Sequence, residues 1–292
     1  MSAGHAVLNA KTVDECIVDQ NWDQYSPEDH DTWNKLFSRQ VSTLKGRACD
    51  EYFESLRVLG LTGETIPDFE KMNKSLRAAT GWEVVPVQGL IPSRPFFSML
   101  ANKQFPAGNF IRKPEELDYL EEPDIFHDVF GHVPLLTHPA YADYMLAYGR
   151  AGHDAMENKG VKFLARLNWY TIEFGLINSA DGPKIYGAGI VSSYGEAKYA
   201  IDDPSSNHIG FDLERVLRTG YYIDDLQASY FVVDSFEKLF EECIERPFVP
   251  LYEELRDKPQ LSPFVLEDDD NIIRKGSGEY WKEFPAIKTK LK

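Results

Sequence analysis

The stretch PDIFHDVFGHVP at residues 123–134 places two imidazoles, those of His127 and His132, in a largely apolar run. A proline disfavours helical structure at the residue before it, so Pro134 predicts a helix that ends near Gly131. Five residues rotate an ideal α-helix by about 140°, which points the two rings apart, whereas an end at Gly131 lets both face one side. Neutral imidazoles bind Fe, Zn, Cu or Ni, so the pair is a candidate metal site. Two histidines with no common ligand remain the alternative.

A third candidate ligand is Glu173, the only carboxylate in residues 163–177. This run is hydrophobic on almost every side and predicts a buried helix. An ionised carboxylate in such surroundings needs a cationic side chain, a metal ion or a proton. Arg166 lies on about the same helical face, and a salt bridge to it is the alternative to a metal ion. Two histidines and one carboxylate with open coordination positions would form the facial triad of non-haem Fe(II) oxygenases.

Three motifs of the chain together resemble the signature of the pterin-dependent aromatic amino acid hydroxylases. They are PDIFHDVFGHVP at 123–134, WYTIEFGL at 169–176 and YGAGIVSSYGE at 186–196, and they occur in the order that the family shows. The likeness extends over roughly residues 80–250, which is nearly the whole catalytic domain of the family. Within the family, the chain is most similar to the bacterial members that act on phenylalanine.

The resemblance implies an iron(II) ion held by His127, His132 and Glu173, with a tetrahydropterin as cofactor and O2 as co-substrate. The implied reaction is hydroxylation of L-phenylalanine to L-tyrosine, and hydroxylation of tryptophan by the same chemistry is the first alternative. A zinc-dependent hydrolase is a more remote alternative, but it would require an HExxH motif or an equivalent base, and none is present. A metal that only stabilises the fold would require a closed set of four ligands, whereas the sequence offers three.

Four residues are expected to bind the substrate. By resemblance Arg112 binds the carboxylate of the amino acid, for which a guanidinium offers two parallel donors, although a solvated surface arginine is the alternative. Trp169 is expected beside the metal, where it would line the pocket of the aromatic ring. The family places Ser192 and Ser193 beside the substrate and an iron-bound histidine. The spacing of Ser193 and Glu196 also fits a helix-capping box, which is the alternative for that serine.

The cofactor-binding residues implied by the family lie in two places. The loop at residues 89–97 is expected to hold the pterin, with Ile91 and Ser93 as contacts and Phe96 stacking on the pterin ring. Asp128 is expected to contact the pterin region through water. Its alternative role is compensation of the positive end of a helix.

Two positions depart from the family pattern and concern the substrate. Asn168 precedes Trp169 where many relatives have a tyrosine, and Leu120 stands where the animal enzymes have a substrate-contacting threonine. Neither position belongs to the expected ligand set. Both positions bear on which aromatic amino acid is the substrate and not on the metal chemistry.

The charge and the cysteines restrict the partners and the compartment. The net charge of −16 argues against binding to nucleic acid or to anionic membranes, both of which attract basic surfaces. No apolar run reaches the roughly 18 residues of a membrane span, and charged residues within the first twenty exclude a signal-peptide core. The 3 cysteines are widely spaced, as is typical of reduced thiols. We therefore expect a soluble, cytoplasmic protein.

Periodicity predicts an α+β fold that is mostly helical, in a single catalytic domain with a few short strands. Residues 1–25 are expected to form a loose arm, residues 26–265 the iron and pterin domain, and residues 266–292 a polar tail. Because the tail lacks the long heptad helix through which the animal enzymes tetramerise, we expect a monomer.

Capping residues, prolines and glycines predict where the individual helices and strands begin and end. The Ser26-Pro27 pair predicts the start of a first helix, Gly60 predicts the end of a second, and a third is expected from Pro67 to about Thr80. Short strands are expected at residues 82–87, 186–191 and 227–233, and a helix is expected after the last of them.

Overall fold

The computed structural model describes residues 10–118, 122–245 and 247–282. The chain is mostly helical with two small sheets, which confirms the predicted α+β class. The longer helices are α1 (Pro27–Leu44), α2 (Asp50–Leu59), α3 (Phe69–Thr80), α4 (Ser93–Ala101), α5 (Pro139–Glu157), α6 (Val161–Asn168), α8 (Tyr194–Asp202), α10 (Phe236–Glu245) and α11 (Phe248–Leu255). The shorter ones are α7 (Ala188–Val191), α9 (Leu213–Arg218) and α12 (Glu279–Lys282). Short 3₁₀ turns lie at Trp22–Gln24, Pro114–Glu116 and Pro134–Thr137, and π turns at Phe126–His132 and Trp169–Glu173.

The start of α1 and the ends of α2 and α3 lie where their caps predict, whereas α3 begins at Phe69, two residues after the predicted start. The Ser26 hydroxyl accepts a hydrogen bond from the Asp29 N–H at 3.2 Å, and the Asp29 carboxylate accepts one from the Ser26 N–H at 2.8 Å, which is a complete capping box. Gly60 ends α2 and Gly81 ends α3, both in the left-handed conformation that glycine adopts without a steric penalty.

The strands form two separate sheets. β1 (Glu83–Val87) pairs in parallel with β2 (Gln104–Gly108) in a two-stranded sheet. The larger sheet has the order β4-β3-β6-β5-β7, with strands β3 (Leu176–Ile177), β4 (Lys184–Ile185), β5 (Asn207–Gly210), β6 (Ser229–Val233) and β7 (Ile272–Arg274). The three inner strands run parallel, whereas β4 and β7 pair antiparallel at the two edges.

Two predicted elements differ from the structure, and two observed elements were not predicted. Residues 163–177 do not form one helix, because the chain leaves the helix after Glu173 and Leu176–Ile177 pairs with β4 and β6. Residues 186–191 are not a strand, since Ala188–Val191 forms the short helix α7. The elements that were not predicted are helix α11, within the predicted domain, and strand β7, within the predicted polar tail.

Both terminal segments contact the core. The Cys16 side chain is fully buried, and the Trp22 indole N–H donates to the Ile66 carbonyl at 2.7 Å. At the other end β7 pairs with β5, and Trp281 is only 3% exposed. The division into an arm, a domain and a tail stays a prediction. Among the described residues no helix combines the length and the apolar character that a membrane crossing needs.

Helices α4 and α5 pack closely enough to require glycine at position 149. A Cβ built on Gly149 would lie 2.6 Å from the Ala101 backbone nitrogen and 2.7 Å from the Leu100 carbonyl carbon. Backbone atoms cannot rotate away as a side chain can, so the helices would have to separate. The contact therefore sets the position of α4, the helix that carries Phe96.

We predict that Gly149→Ala lowers the free energy of unfolding by about 1–3 kcal/mol, because an inserted methyl group overpacks this contact. Gly195→Ala is the matched control, since a Cβ there meets no atom within 4 Å and alanine favours helix. Urea denaturation of both variants measures the effect. Equal stability of Gly149→Ala and the wild type would show that the two helices can separate at little cost.

Candidate functional site

His127 and His132 lie on one π turn, Phe126–His132, and not on an α-helix that ends at Gly131 as predicted. The hydrogen bonds of a π turn join residues five apart, which brings side chains at this spacing to one side. The two Nε2 atoms are 3.1 Å apart. Gly131 permits this turn to approach α7, because a Cβ there would lie 3.0 Å from the Ala188 carbonyl oxygen.

Glu173 ends a second π turn, Trp169–Glu173, in which the Phe174 N–H donates to the Trp169 carbonyl at 2.8 Å. Its carboxylate oxygens lie 3.4 Å from the His132 Nε2 and 3.8 Å from the His127 Nε2. In the described chain these are its only ion-pair partners.

Arg166 is not the partner of Glu173. Its Nη1 donates to the Leu217 carbonyl oxygen at 3.0 Å, between α6 and α9. The cationic alternative for Glu173 that the sequence left open is therefore wrong.

The three ligand atoms suit a single metal ion. Atoms bound at about 2.1 Å to one ion lie about 3.0–3.5 Å apart when their bonds diverge by about 90–110°. The 3.1 Å between the two Nε2 atoms and the 3.4 Å from the His132 Nε2 to the Glu173 Oε1 fall in this range, and the His127 Nε2 lies 3.8 Å from the other carboxylate oxygen, Oε2. Burial, with the neighbouring His132 in addition, lowers the pKa of His127 to about 4, and burial lowers the pKa of His132 to about 3. Both rings are thus neutral near pH 7, as metal ligands must be. Burial also raises the pKa of Glu173, and a bound cation would favour its ionised form.

Ser192 determines which nitrogen of His127 faces the other ligands. The Ser192 hydroxyl donates to the Ala188 carbonyl at 2.8 Å, so it accepts from the His127 Nδ1 at 2.9 Å. With the proton on Nδ1, the Nε2 lone pair points toward His132 and Glu173. This contact corresponds to the partner that a metal-bound imidazole generally requires for its second nitrogen.

Two cavities meet at His127 and Glu173, and His132 lines the first of them. The first has a volume of about 350 Å³ and the second about 680 Å³, and both are lined by Pro123, His127, Trp169 and Glu173. The residues predicted to bind the cofactor all line the first cavity: Ile91, Ser93, Phe96 and Asp128. The residues predicted to bind the substrate all line the second: Arg112, Trp169, Ser192 and Ser193. The structure therefore brings together every site residue that the sequence predicted.

Arg112 is buried in a fork with Asp124 and is not a solvated surface residue. Its Nε and Nη2 each donate to an Asp124 carboxylate oxygen at 2.8 Å. Asp124 is fully buried, and the hydrogen bonds and charge of Arg112 hold its pKa below the usual value although burial alone would raise it. Asp124 also accepts from the His127 N–H at 3.0 Å. The fork thus joins the wall of the second cavity to the turn that carries a ligand histidine.

Asp128 lies within the first cavity and is not a solvated helix-end charge. Its carboxyl group accepts a hydrogen bond from the Gly108 N–H at 2.7 Å. Burial, aided by the nearby carboxylates of Asp124 and Glu173, raises its pKa to about 8. Near neutral pH it can therefore carry a proton and act as a donor as well as an acceptor.

Ser193 caps α8 by accepting from the Glu196 N–H at 3.3 Å, but the capping box is incomplete. The Glu196 carboxylate instead accepts from the Gln227 N–H at 3.1 Å and from the Tyr230 hydroxyl, and burial raises its pKa to about 7. The sequence analysis missed this buried carboxylate. Its partners lie more than thirty residues away, and no local pattern reveals them.

Of the two residues that depart from the family pattern, the structure describes only Asn168. Asn168 lines the first cavity and hydrogen-bonds to Glu173. This hydrogen bond offsets part of the rise that burial causes in the pKa of that carboxyl. Asn168 therefore supports the metal ligand and does not line the second cavity. Leu120 lies outside the described residues.

Comparison with known proteins is consistent with this geometry. The chain matches the sequence model of the biopterin-dependent aromatic amino acid hydroxylases over residues 20–261. It is 52% identical to phenylalanine-4-hydroxylase of Caulobacter vibrioides, over 90% of this chain and 89% of the relative, and 49% identical to that of Ralstonia nicotianae, over 92% and 86%.

A solved structure supports the same relationship. Phenylalanine hydroxylase of Chromobacterium violaceum bound to cobalt superposes with a TM-score of 0.86 at 49% identity, covering 88% of this chain and 93% of that one. On the sequence match, the fold and the converged ligands together, the chain belongs to the biopterin-dependent aromatic amino acid hydroxylase family.

Proposed function

We propose that this protein hydroxylates L-phenylalanine to L-tyrosine, with iron(II) held by His127, His132 and Glu173. The observation that carries the proposal is the convergence of these ligands where the two cavities meet. One cavity can then present a tetrahydropterin to the metal while the other presents the substrate. The relatives at about half identity, which are named for phenylalanine, favour this substrate over tryptophan.

Iron and the tetrahydropterin, when bound, supply the activation of O2. The chain supplies orientation and a dry site. The Ser192 hydroxyl keeps the proton of His127 on Nδ1, so that Nε2 remains available as a ligand. In the first cavity Phe96 offers an aromatic face to the pterin ring, and Asp128 offers a carboxyl group to its polar edge.

In the second cavity Arg112 serves as the anchor for the carboxylate of the substrate. Its Nε and Nη2 bind Asp124, which leaves Nη1 as a donor. The ring of the substrate packs beside Trp169, which lines both cavities. Fixing the ring in this way converts an encounter of three reactants into a reaction within one complex.

A zinc hydrolase is not favoured by the geometry. It would need a base beside the ligands to activate water. Besides Glu173, the carboxyl that lines the first cavity among the described residues is that of Asp128, which accepts a hydrogen bond from the Gly108 N–H at 2.7 Å, and no HExxH motif places a base beside the ligands. The hydroxylase is therefore the better-supported function.

We predict that His127→Ala and Glu173→Ala lose bound iron and tyrosine formation, because each removes one of only three protein ligands. His153→Ala is the control, since its ring contacts the Ser98 hydroxyl and lines neither cavity. Metal analysis after dialysis against iron(II) gives the iron content per chain. Wild-type iron content and turnover in either ligand variant would overturn the triad.

We predict that Arg112→Lys raises the apparent KM for phenylalanine on the order of tenfold or more, because a charge-assisted hydrogen bond contributes about 1.5–3 kcal/mol. Pterin oxidation should also become partly uncoupled from tyrosine formation, since the ring is misplaced while the metal and the pterin remain bound. Tyrosine formed per pterin oxidised measures this coupling.

Arg47→Lys is the matched control for this variant. Arg47 also binds a carboxylate, that of Asp202, through its Nε and Nη2, but it lines neither cavity. Thermal unfolding of both variants shows how much of any effect comes from the weakened fork with Asp124. Unchanged saturation and full coupling in Arg112→Lys would remove Arg112 from substrate binding.

We further propose that the protein is a cytoplasmic monomer. Its three cysteines are free and buried, as suits a reducing compartment, and a net charge of −16 disfavours self-association. We predict that light scattering at micromolar concentration gives the mass of one 33.3 kDa chain. A mass of two or four chains would contradict the monomer.

A further inference from the structure

The C-terminal segment reaches the second cavity from beyond the part of the chain that matches the family. The match ends at residue 261, yet Tyr280 lines the cavity together with Arg112 and Glu173. We infer that Tyr280 is a positioning residue for the ring pocket: its hydroxyl holds the loop at residues 221–227, and that loop orients the Trp169 indole. The inference deepens the proposed function and rests on it for the identity of the substrate.

The backbone on both sides of Tyr280 is held by contacts with the rest of the chain. β7 pairs with β5, and the Ser277 N–H donates to the Pro204 carbonyl at 2.8 Å. The Gly278 N–H then donates to the Ser205 carbonyl at 3.0 Å. Trp281, the next residue, is buried with its ring 5.1 Å from that of Phe264. These contacts fix the backbone on both sides of Tyr280, so its side chain can restrain a neighbouring loop.

The Tyr280 hydroxyl donates to Asp225 Oδ1 at 2.6 Å, and the same oxygen accepts from the Leu226 N–H at 2.8 Å. A hydrogen bond to a carboxylate is stronger than one between neutral groups. The loop needs such a contact, because its residues Ile223 and Asp224 are exposed and add little packing.

Gln227 transmits the position of the loop to the indole. Its Nε2 donates to the carbonyl oxygens of Tyr222 at 3.1 Å and Asp225 at 3.0 Å, and its Oε1 accepts from the Trp169 Nε1 at 2.8 Å. Because both amide hydrogens are bound by the loop, the amide oxygen can only face the indole. Tyr221, on the same loop, stacks on the indole with ring centroids 4.3 Å apart. Displacement of the loop therefore displaces Trp169.

The decisive variant is Tyr280→Phe, which removes one hydroxyl and keeps the ring. Tyr199→Phe is the matched control, because its hydroxyl accepts from the Trp281 indole at 3.1 Å but it lines neither cavity. Two measurements are made on the full chain. Hydrogen exchange of the amides at residues 221–227 reports the loop without any substrate. Steady-state kinetics reports the KM for phenylalanine and the tyrosine formed per pterin oxidised.

For Tyr280→Phe we expect exchange at residues 221–227 to accelerate about tenfold, as loss of a hydrogen bond to a carboxylate implies. The KM for phenylalanine should rise about threefold to tenfold and coupling should fall, while iron content stays at the wild-type level. Tyr199→Phe should leave exchange at these residues and the KM unchanged, even if it lowers the melting temperature.

Several results would overturn the inference. One is wild-type loop exchange in Tyr280→Phe, and another is equal acceleration in Tyr199→Phe, which would indicate general loosening of the C-terminal segment. A third is faster loop exchange in Tyr280→Phe with an unchanged KM for phenylalanine and unchanged coupling, which would show that Tyr280 holds the loop but does not position the ring pocket. If the wild type forms no tyrosine, the proposed function fails, while loop exchange still decides whether Tyr280 holds the loop.

Discussion

The buried cluster of His127, His132 and Glu173 is the constraint on which the rest of the structure depends. Burial keeps both imidazoles neutral and disfavours ionisation of the carboxyl group, yet the two Nε2 atoms and the Glu173 carboxylate lie within 3.8 Å of one another. A divalent cation converts this unfavourable arrangement into a stable one. The same requirement explains two π turns in one site, since this rare geometry occurs mostly where function demands it.

The surrounding residues divide the site into two cavities that share His127 and Glu173, whereas His132 lines only the first. The fork of Arg112 and Asp124 connects them electrostatically, because Asp124 accepts from the guanidinium and from the backbone of His127. A change at Arg112 can thus affect the turn that carries His127. Buried charge pairs of this kind lose more when one partner is removed than the pair contributes to stability.

The wall of the second cavity shows how distant segments build one surface. Trp169 comes from a π turn, Gln227 from the approach to β6, and Tyr280 from the last described helix. Glu196 holds the Gln227 backbone from a fourth segment. An aromatic ring pocket needs rigid walls, and here rigidity comes from hydrogen bonds that cross between elements.

By itself the sequence determined the types of ligand, the capped helices and the α+β class, because periodicity, caps and motifs are local properties of the chain. It also pointed to residues that line both cavities, because the family motifs are short stretches that can be recognised without the fold. Only the tertiary structure distinguished α from π geometry at the ligand turns, because the contact between Gly131 and α7 joins segments far apart in sequence. It also made Leu176–Ile177 a strand, because β6 offers the hydrogen bonds that a continued helix would otherwise supply. The partners of Glu196, Gln227 and Tyr280 were hidden for the same reason: they are fixed by contacts between segments far apart in sequence.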